Sequence, residues 1–235
     1  MKYATSCSCG TLPAIIMTEE QTYKQVLEKI EWLQDIAKRK RWTITLKPFI
    51  ERPATTDEIN SVEKQIGKTI PEDLKKLFLF SKHVEFSYQF DETLSEEFRQ
   101  NFSGDIYWNL DSLADQYSNF QEWIKASVDP EYNDREAIEI TEKLWQDKLP
   151  LMDVPNGDII AIGSNPSEII YFSHEGDTMH GKILGDTLWN FLDFYSRVGF
   201  AGSEDWQLEP FFDFDKNVMI TKGDKVERYI QLLEK

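Results

Sequence analysis

From Leu149 to Leu184 short apolar runs alternate with turns of a few residues, and this spacing constrains the fold more than any other feature of the chain. Leu149-Pro150-Leu151-Met152 leads to Asn156-Gly157, a dipeptide that favours a two-residue hairpin. Asp158 to Ile162 follows, then the turn Asn165-Pro166-Ser167, then Ile169-Ile170-Tyr171-Phe172, then the turn His174-Glu175-Gly176-Asp177. Met179 to Leu184 is expected to be the last strand. Strands connected so closely pair antiparallel, because parallel neighbours need a crossover of about a dozen residues or more.

The sequence before this region reads mainly as helices. From Thr18 to about Arg39, apolar residues at Tyr23, Val26, Leu27, Ile30, Leu33, Ile36 and Ala37 recur at helical spacing, and Thr18 with Gln21 predicts a capping box. Lys38-Arg39-Lys40-Arg41 places cations where they complement the end of the helix dipole. Trp42, Ile44 and Leu46 alternate with polar residues, which predicts a strand with one buried face. Thr55 with Glu58 predicts a second capping box, and Gly67 a left-handed helix end. Pro71 suits the first turn of the next helix. Phe86, Tyr88 and Phe90 read as a strand, as does Gly104 to Trp108. Asp111, Asn133, Asp186 and Asp224 are expected to cap later helices. Residues 200–223 look irregular and rich in aromatic side chains.

Helices first, a hairpin-rich sheet later and helices at the end predict an α+β fold, with helices packed against an antiparallel-rich sheet. Residues 1–47 are expected to form a helical and strand extension and residues 48–200 the main domain. Residues 201–235 are expected to be an aromatic, acidic segment and helix packed on that same domain. The chain has 235 residues, of which 40% are hydrophobic, which is enough to exclude a disordered chain. Its two cysteines exclude a disulfide-built scaffold. No stretch approaches the roughly 18 apolar residues that span a bilayer, and Leu12 to Met17 is too short for a signal-peptide core. A cytoplasmic protein that does not bind membranes is expected.

Charge narrows the partner class. Residues 1–47 hold eight Lys/Arg and five Asp/Glu, a balance of +3; the remainder holds 26 − 8 = 18 against 42 − 5 = 37, a balance of −19. Such a body repels phosphate backbones, so nucleic acid is not expected to bind directly, whereas a basic protein would be drawn to it. Aromatic residues Trp206, Phe211, Phe212 and Phe214 lie among Glu204, Asp205, Glu209, Asp213 and Asp215, a pattern that fits either a protein interface or rings packed onto the domain.

Few residues are suited to catalysis. Cys7, Cys9 and one of His174 or His180 could make a zinc set, but there is no second cysteine pair, and two free thiols are the favoured reading of Cys7 and Cys9. His174 beside Glu175 is the best candidate base, although a histidine in a turn is usually engaged with backbone. Asp213 and Asp215 would share a face if they lay on a strand, as a hydrolase or a cation site would require. There is no Gly-x-Ser-x-Gly elbow and no phosphate-cradling glycine loop. No enzyme activity, metal or cofactor is expected.

Several of these segments, in order, resemble one family. Arg52-Pro53-Ala54-Thr55 to Ile59, Gly67, and Ile70-Pro71-Glu72-Asp73-Leu74-Lys75-Lys76-Leu77 resemble the opening of the SUKH superfamily, which contains the Smi/Knr-type yeast cell-wall regulator and many bacterial immunity proteins. Trp108 with Asp111 and Leu113 is similar to the central strand and helix of that family. Asn156-Gly157-Asp158-Ile159-Ile160-Ala161 and Ile170 to Gly176 resemble its most specific stretch, and Trp189-Asn190-Phe191-Leu192 its closing helix. The likeness covers roughly residues 50–200. Ser81-Lys82-His83-Val84 departs from the Asn-Gly-Gly-like turn often found in the family.

The resemblance implies a non-enzymatic immunity protein. Such a protein neutralises a cognate polymorphic toxin, often a nuclease, by occluding it in the cytoplasm, and acts as a monomer or weak homodimer. The alternative is a regulatory adaptor of the cell-wall-regulator type. The residues expected to meet a basic toxin are Asp91, Glu92, Glu96 and Glu97 in an acidic loop, together with Asp213 and Asp215.

Overall fold

The computed structural model describes residues 17–131, 134–176 and 178–234. Cys7 and Cys9 lie outside them, as do the expected cap Asn133 and Asp177 of the turn.

Helix α1 (Glu19–Lys40) opens with the predicted capping box, in which Thr18 N donates to Gln21 Oε1 at 2.8 Å and Gln21 N to Thr18 Oγ1 at 3.3 Å. Its stripe of Val26, Ile30 and Leu33 is buried, and α1 packs along helix α6 (Leu188–Arg197). There Gln25 Nε2 donates to Ser196 Oγ at 2.7 Å. Helices α2 (Thr56–Ile66) and α3 (Glu72–Phe80) follow. Glu58 completes the Thr55 capping box, and Gly67 closes α2 at φ 67°. Pro71 stands one position earlier than expected, as the residue preceding α3.

Strands β1 (Thr43–Ile50), β2 (His83–Gln89) and β3 (Ser103–Asn109) form an antiparallel sheet in that order. The expected buried face of β1 does not form. Leu46, Phe49 and Ile50 are 49%, 46% and 44% exposed, and only Trp42 and Ile44 pack on the core. β1 is an edge strand whose register with β2 shifts twice, and Pro48 within it has no N–H to donate.

The second antiparallel sheet has the order β4 (Lys148–Asp153), β5 (Ile159–Gly163), β6 (Ile169–Phe172), β7 (Ile183–Gly185). The turn after β4 is longer than a two-residue hairpin: Gly157 N donates to Val154 O, and Val154 N to Asp158 O, each at 2.9 Å. The last strand is also shorter than expected, because residues 178–181 form a turn. Strands β5 and β6 are buried along their whole length. Ile160, Ile162, Ile169 and Tyr171 point into the main core, whereas Ile159, Ala161, Ile170 and Phe172 join Phe120 and Trp145 in a second, smaller core. Helices α4 (Leu113–Ser127) and α5 (Arg135–Trp145) supply that second layer.

Three expected caps move by one or two residues. Asp111 leaves the start of α4 to pair with buried Lys82 at 2.8 Å, where it shares the cation with Glu51 at 3.0 Å. Thr187, not Asp186, caps α6 by accepting from Asn190 N at 3.1 Å. Asp224 lies within the first turn of helix α8 (Asp224–Glu234) rather than before it.

Residues 200–223 are more regular than expected. They contain helix α7 (Asp205–Leu208), a 3-10 turn at Glu209–Phe211, and a small antiparallel pair, β8 (Phe212–Asp213) with β9 (Val218–Met219). The start of the segment is fixed to the first sheet: Asp105 N of β3 donates to Phe200 O at 3.0 Å, and Tyr88 Oη of β2 donates to the preceding Gly199 O at 2.6 Å. Gly104 makes this crossing possible, since a Cβ there would stand 2.3 Å from Phe200 O and 2.7 Å from the Tyr88 ring. The architecture is α+β, with all strand pairs among the described residues antiparallel.

Candidate partner-binding surface

The acidic loop connects β2 to β3. Backbone bonds Phe90 N to Phe102 O (2.7 Å) and Leu94 N to Asn101 O (2.8 Å) hold its two sides together. Phe98 anchors it from within, with its ring 6.1 Å from Phe211 and 4.9 Å from Tyr229. Ion pairs Glu97–Arg228 and Arg99–Glu209 fasten the same loop to the C-terminal segment, and the Arg228 guanidinium holds the Glu97 carboxyl below the usual carboxylate range. Glu97 is therefore engaged within the chain. Asp91, Glu92 and Glu96 are exposed.

The C-terminal candidates divide in the same way. Asp213 Oδ2 accepts from Lys216 Nζ at 2.8 Å and Oδ1 from Lys216 N at 3.0 Å, bonds that hold its carboxyl below the usual range. Asp215 is exposed in the turn between β8 and β9. Because β8 ends at Asp213 and Asp215 lies in the turn that follows, the two carboxylates are not side by side on one strand face. Among the described residues, no group of three or more His, Cys, Asp or Glu side chains converges as a metal set. The Phe98–Phe211 contact brings the segments carrying the two acidic sets together along one seam.

The aromatic residues of the tail serve two purposes. Phe211 and Phe212 are buried core residues. Trp206 stacks on exposed Phe102, with centroids 5.6 Å apart, and donates Nε1 to Glu204 at 2.6 Å. Phe214 remains exposed beside Phe212. Of the four aromatic residues singled out in the tail, Trp206 and Phe214 are the two that reach the surface, and Phe102 of the β2–β3 loop joins Trp206 there.

Asp158 organises the turns at one end of the second sheet. Its Oδ2 accepts from Tyr171 Oη at 2.5 Å and Asn156 Nδ2 at 2.8 Å, and its Oδ1 from His174 N at 2.8 Å. His174 Nδ1 lies 2.6 Å from the same Oδ1. Burial pushes the Asp158 carboxyl up, but the bonds from Tyr171, His174 and Asn156 together outweigh it and hold the group below the usual carboxylate range. Burial and the neighbouring Asp158 push the Tyr171 hydroxyl up. The His174 ring thus braces a turn, and its other nitrogen lies 3.8 Å from Glu175. In the same turn, Ser173 Oγ accepts from Glu175 N at 3.2 Å.

The sequence model of the SMI1 / KNR4 family (SUKH-1) matches residues 53–193, more than half of the chain. The chain belongs to the SMI1 / KNR4 family (SUKH-1). This family includes immunity proteins. A search of curated proteins gave no match. The family region runs from the residue before Ala54 and α2 into α6, and contains the Asp158 network and the acidic loop. Asp213, Asp215 and α8 lie beyond it. No helix among the described residues is long and apolar enough to cross a membrane.

Sequence reasoning passed over Trp123, which stands between two clefts on the side of the molecule formed by α4 and the Asp158 turns. The Trp123–Trp145 pairing, at 6.2 Å, joins residues of different helices and has no local signature.

Proposed function

We propose that this chain is a non-catalytic immunity protein that binds and neutralises a cognate toxin of basic character, a nuclease being the natural candidate. Membership of the SMI1 / KNR4 family is the observation that carries the reading. Charge supports it: the −19 balance outside residues 1–47 attracts a partner rich in Lys and Arg and repels nucleic acid. Asp91, Glu92, Glu96 and Asp215 stand exposed, where they can meet cations that a nuclease uses for phosphate. Occlusion requires rigid surfaces rather than reacting groups, and the Asp158 bonds serve to brace turns.

Co-expression with the C-terminal domain of a large secreted protein encoded next to this chain is the direct test. Rescue of cell growth and co-purification of the two proteins are expected. Failure of both overturns the reading and leaves a regulatory adaptor as the alternative.

A further inference from the structure

Two clefts flank Trp123 in the C-terminal half of α4. One, of about 550 Å3, is lined by Trp123, Trp145, His174, Glu175 and His180 among others. The other, of about 400 Å3, is lined by Glu122, Trp123, Asp153 and Asp158 among others. The two adjoin through the Asp158–His174 contact, since each partner lines one of them. Among the described residues, neither cleft has a Lys or Arg in its lining, whereas four carboxylates border them. Glu122 is engaged by Lys125 at the rim, at 2.5 Å, and Asp153 accepts from Gln116 Nε2 at 2.8 Å. Glu175 is 79% exposed on its turn.

We propose that these clefts form a receptor for a long basic side chain, Arg or Lys, presented by the protein partner. This inference rests on the binding role proposed above and names the surface that role uses. Trp123 supplies an indole face, which attracts a cation through its ring quadrupole. The other aromatic groups of the first cleft, Trp145, His174 and His180, enclose an apolar stem. Glu175 and Asp153, one on each side of the indole, are the carboxylates placed to take the charged head. The two acidic regions then act at different stages. The loop at 91–97 acts at a distance and speeds encounter, whereas a desolvated tryptophan with a cation against it slows dissociation.

The test has two arms. In the first, the full chain is titrated with the peptide acetyl-Gly-Arg-Gly-amide, and with acetyl-Gly-Glu-Gly-amide as control, while indole N–H resonances are followed by NMR. The Arg peptide is expected to shift the Trp123 indole, with no response to the Glu peptide and none in Trp123→Ala. Equal responses to the two peptides, or none at Trp123, overturn the inference. In the second arm, affinity for the toxin domain encoded beside this chain is expected to fall about tenfold or more in Trp123→Ala and in Glu175→Lys, mainly through faster dissociation. Glu175→Lys lies on an exposed turn and keeps this arm readable if Trp123→Ala fails to fold. If the unaltered chain binds the toxin domain and both variants bind it equally well, the receptor inference fails and the immunity reading stands. If the unaltered chain does not bind the toxin domain but its Trp123 responds to the Arg peptide, the immunity reading fails and the receptor stands.

Discussion

Asp158 Oδ1 lies 2.6 Å from His174 Nδ1 and accepts the His174 backbone N–H at 2.8 Å, so one carboxylate oxygen holds both the ring and the main chain of the same residue. The other oxygen holds Tyr171 and Asn156. Replacing Asp158 with Ala strips acceptors from a buried hydroxyl and a turn amide at once. A loss of about 3 kcal/mol in unfolding free energy is expected, measured by urea denaturation, and an effect below about 1 kcal/mol would refute this account.

Asp91, Glu92 and Glu96 are exposed charges, so their effect belongs to long-range attraction. Changing all three to Lys is expected to slow association with the toxin domain about tenfold at low salt and to leave melting temperature unchanged. Raising the salt to about 1 M should erase the difference, because screening then acts within about 3 Å. An effect that persists at high salt, measured by stopped-flow, would contradict steering.

Asp105 makes stability depend on pH. Burial, reinforced by the nearby Glu204 charge, pushes its carboxyl from 3.8 up to about 6, against the opposing bonds from Ser203. Between these values the folded chain binds more protons than the unfolded chain, so the Asp105 contribution is complete below about pH 4 and lost as pH rises through about 6. Asp105→Asn should flatten that part of the stability profile and raise stability at pH 7 by on the order of 2 kcal/mol. Parallel profiles for the two proteins in denaturant titrations between pH 4 and 7 would sink the prediction.

Gly104→Ala is expected to cost about 3 kcal/mol, because a methyl group there collides with the Phe200 carbonyl and the Tyr88 ring, neither of which can swing away. The damage should concentrate at the crossing. Amide exchange at Asp105, whose N–H bonds Phe200 O, should quicken more than at Ile160 in β5.

Local chemistry was the legible part of this chain. Both capping boxes, the left-handed Gly67 and the antiparallel order of β4, β5 and β6 follow from residues within a few positions of one another. What depended on distant partners was not legible. Leu46 alternates as a half-buried strand should, yet β1 lies at a sheet edge, and no local pattern reveals which neighbours a strand will have. Asp111 is a good cap in isolation, but buried Lys82, 29 residues earlier in the sequence, claims it instead. The acidic residues were visible as charge, while the internal pairing of Glu97 with Arg228 and Asp213 with Lys216 emerges only in three dimensions. Trp123 carries no local signature of a site, and its setting between two clefts exists only once the turns at Asp158 and His174 are in place.

The covering of β5 and β6 on both faces makes the second sheet a partition between two compartments of unequal size. The larger compartment carries most of the apolar burial, while α5 closes the smaller one with Trp145 as its one buried side chain among those described. With so few buried contacts, the α5 layer is expected to open at a lower free energy than the larger compartment. A partner that grips the Trp123 face would then tighten the α5 layer most, leaving the far side of the sheet almost as it was.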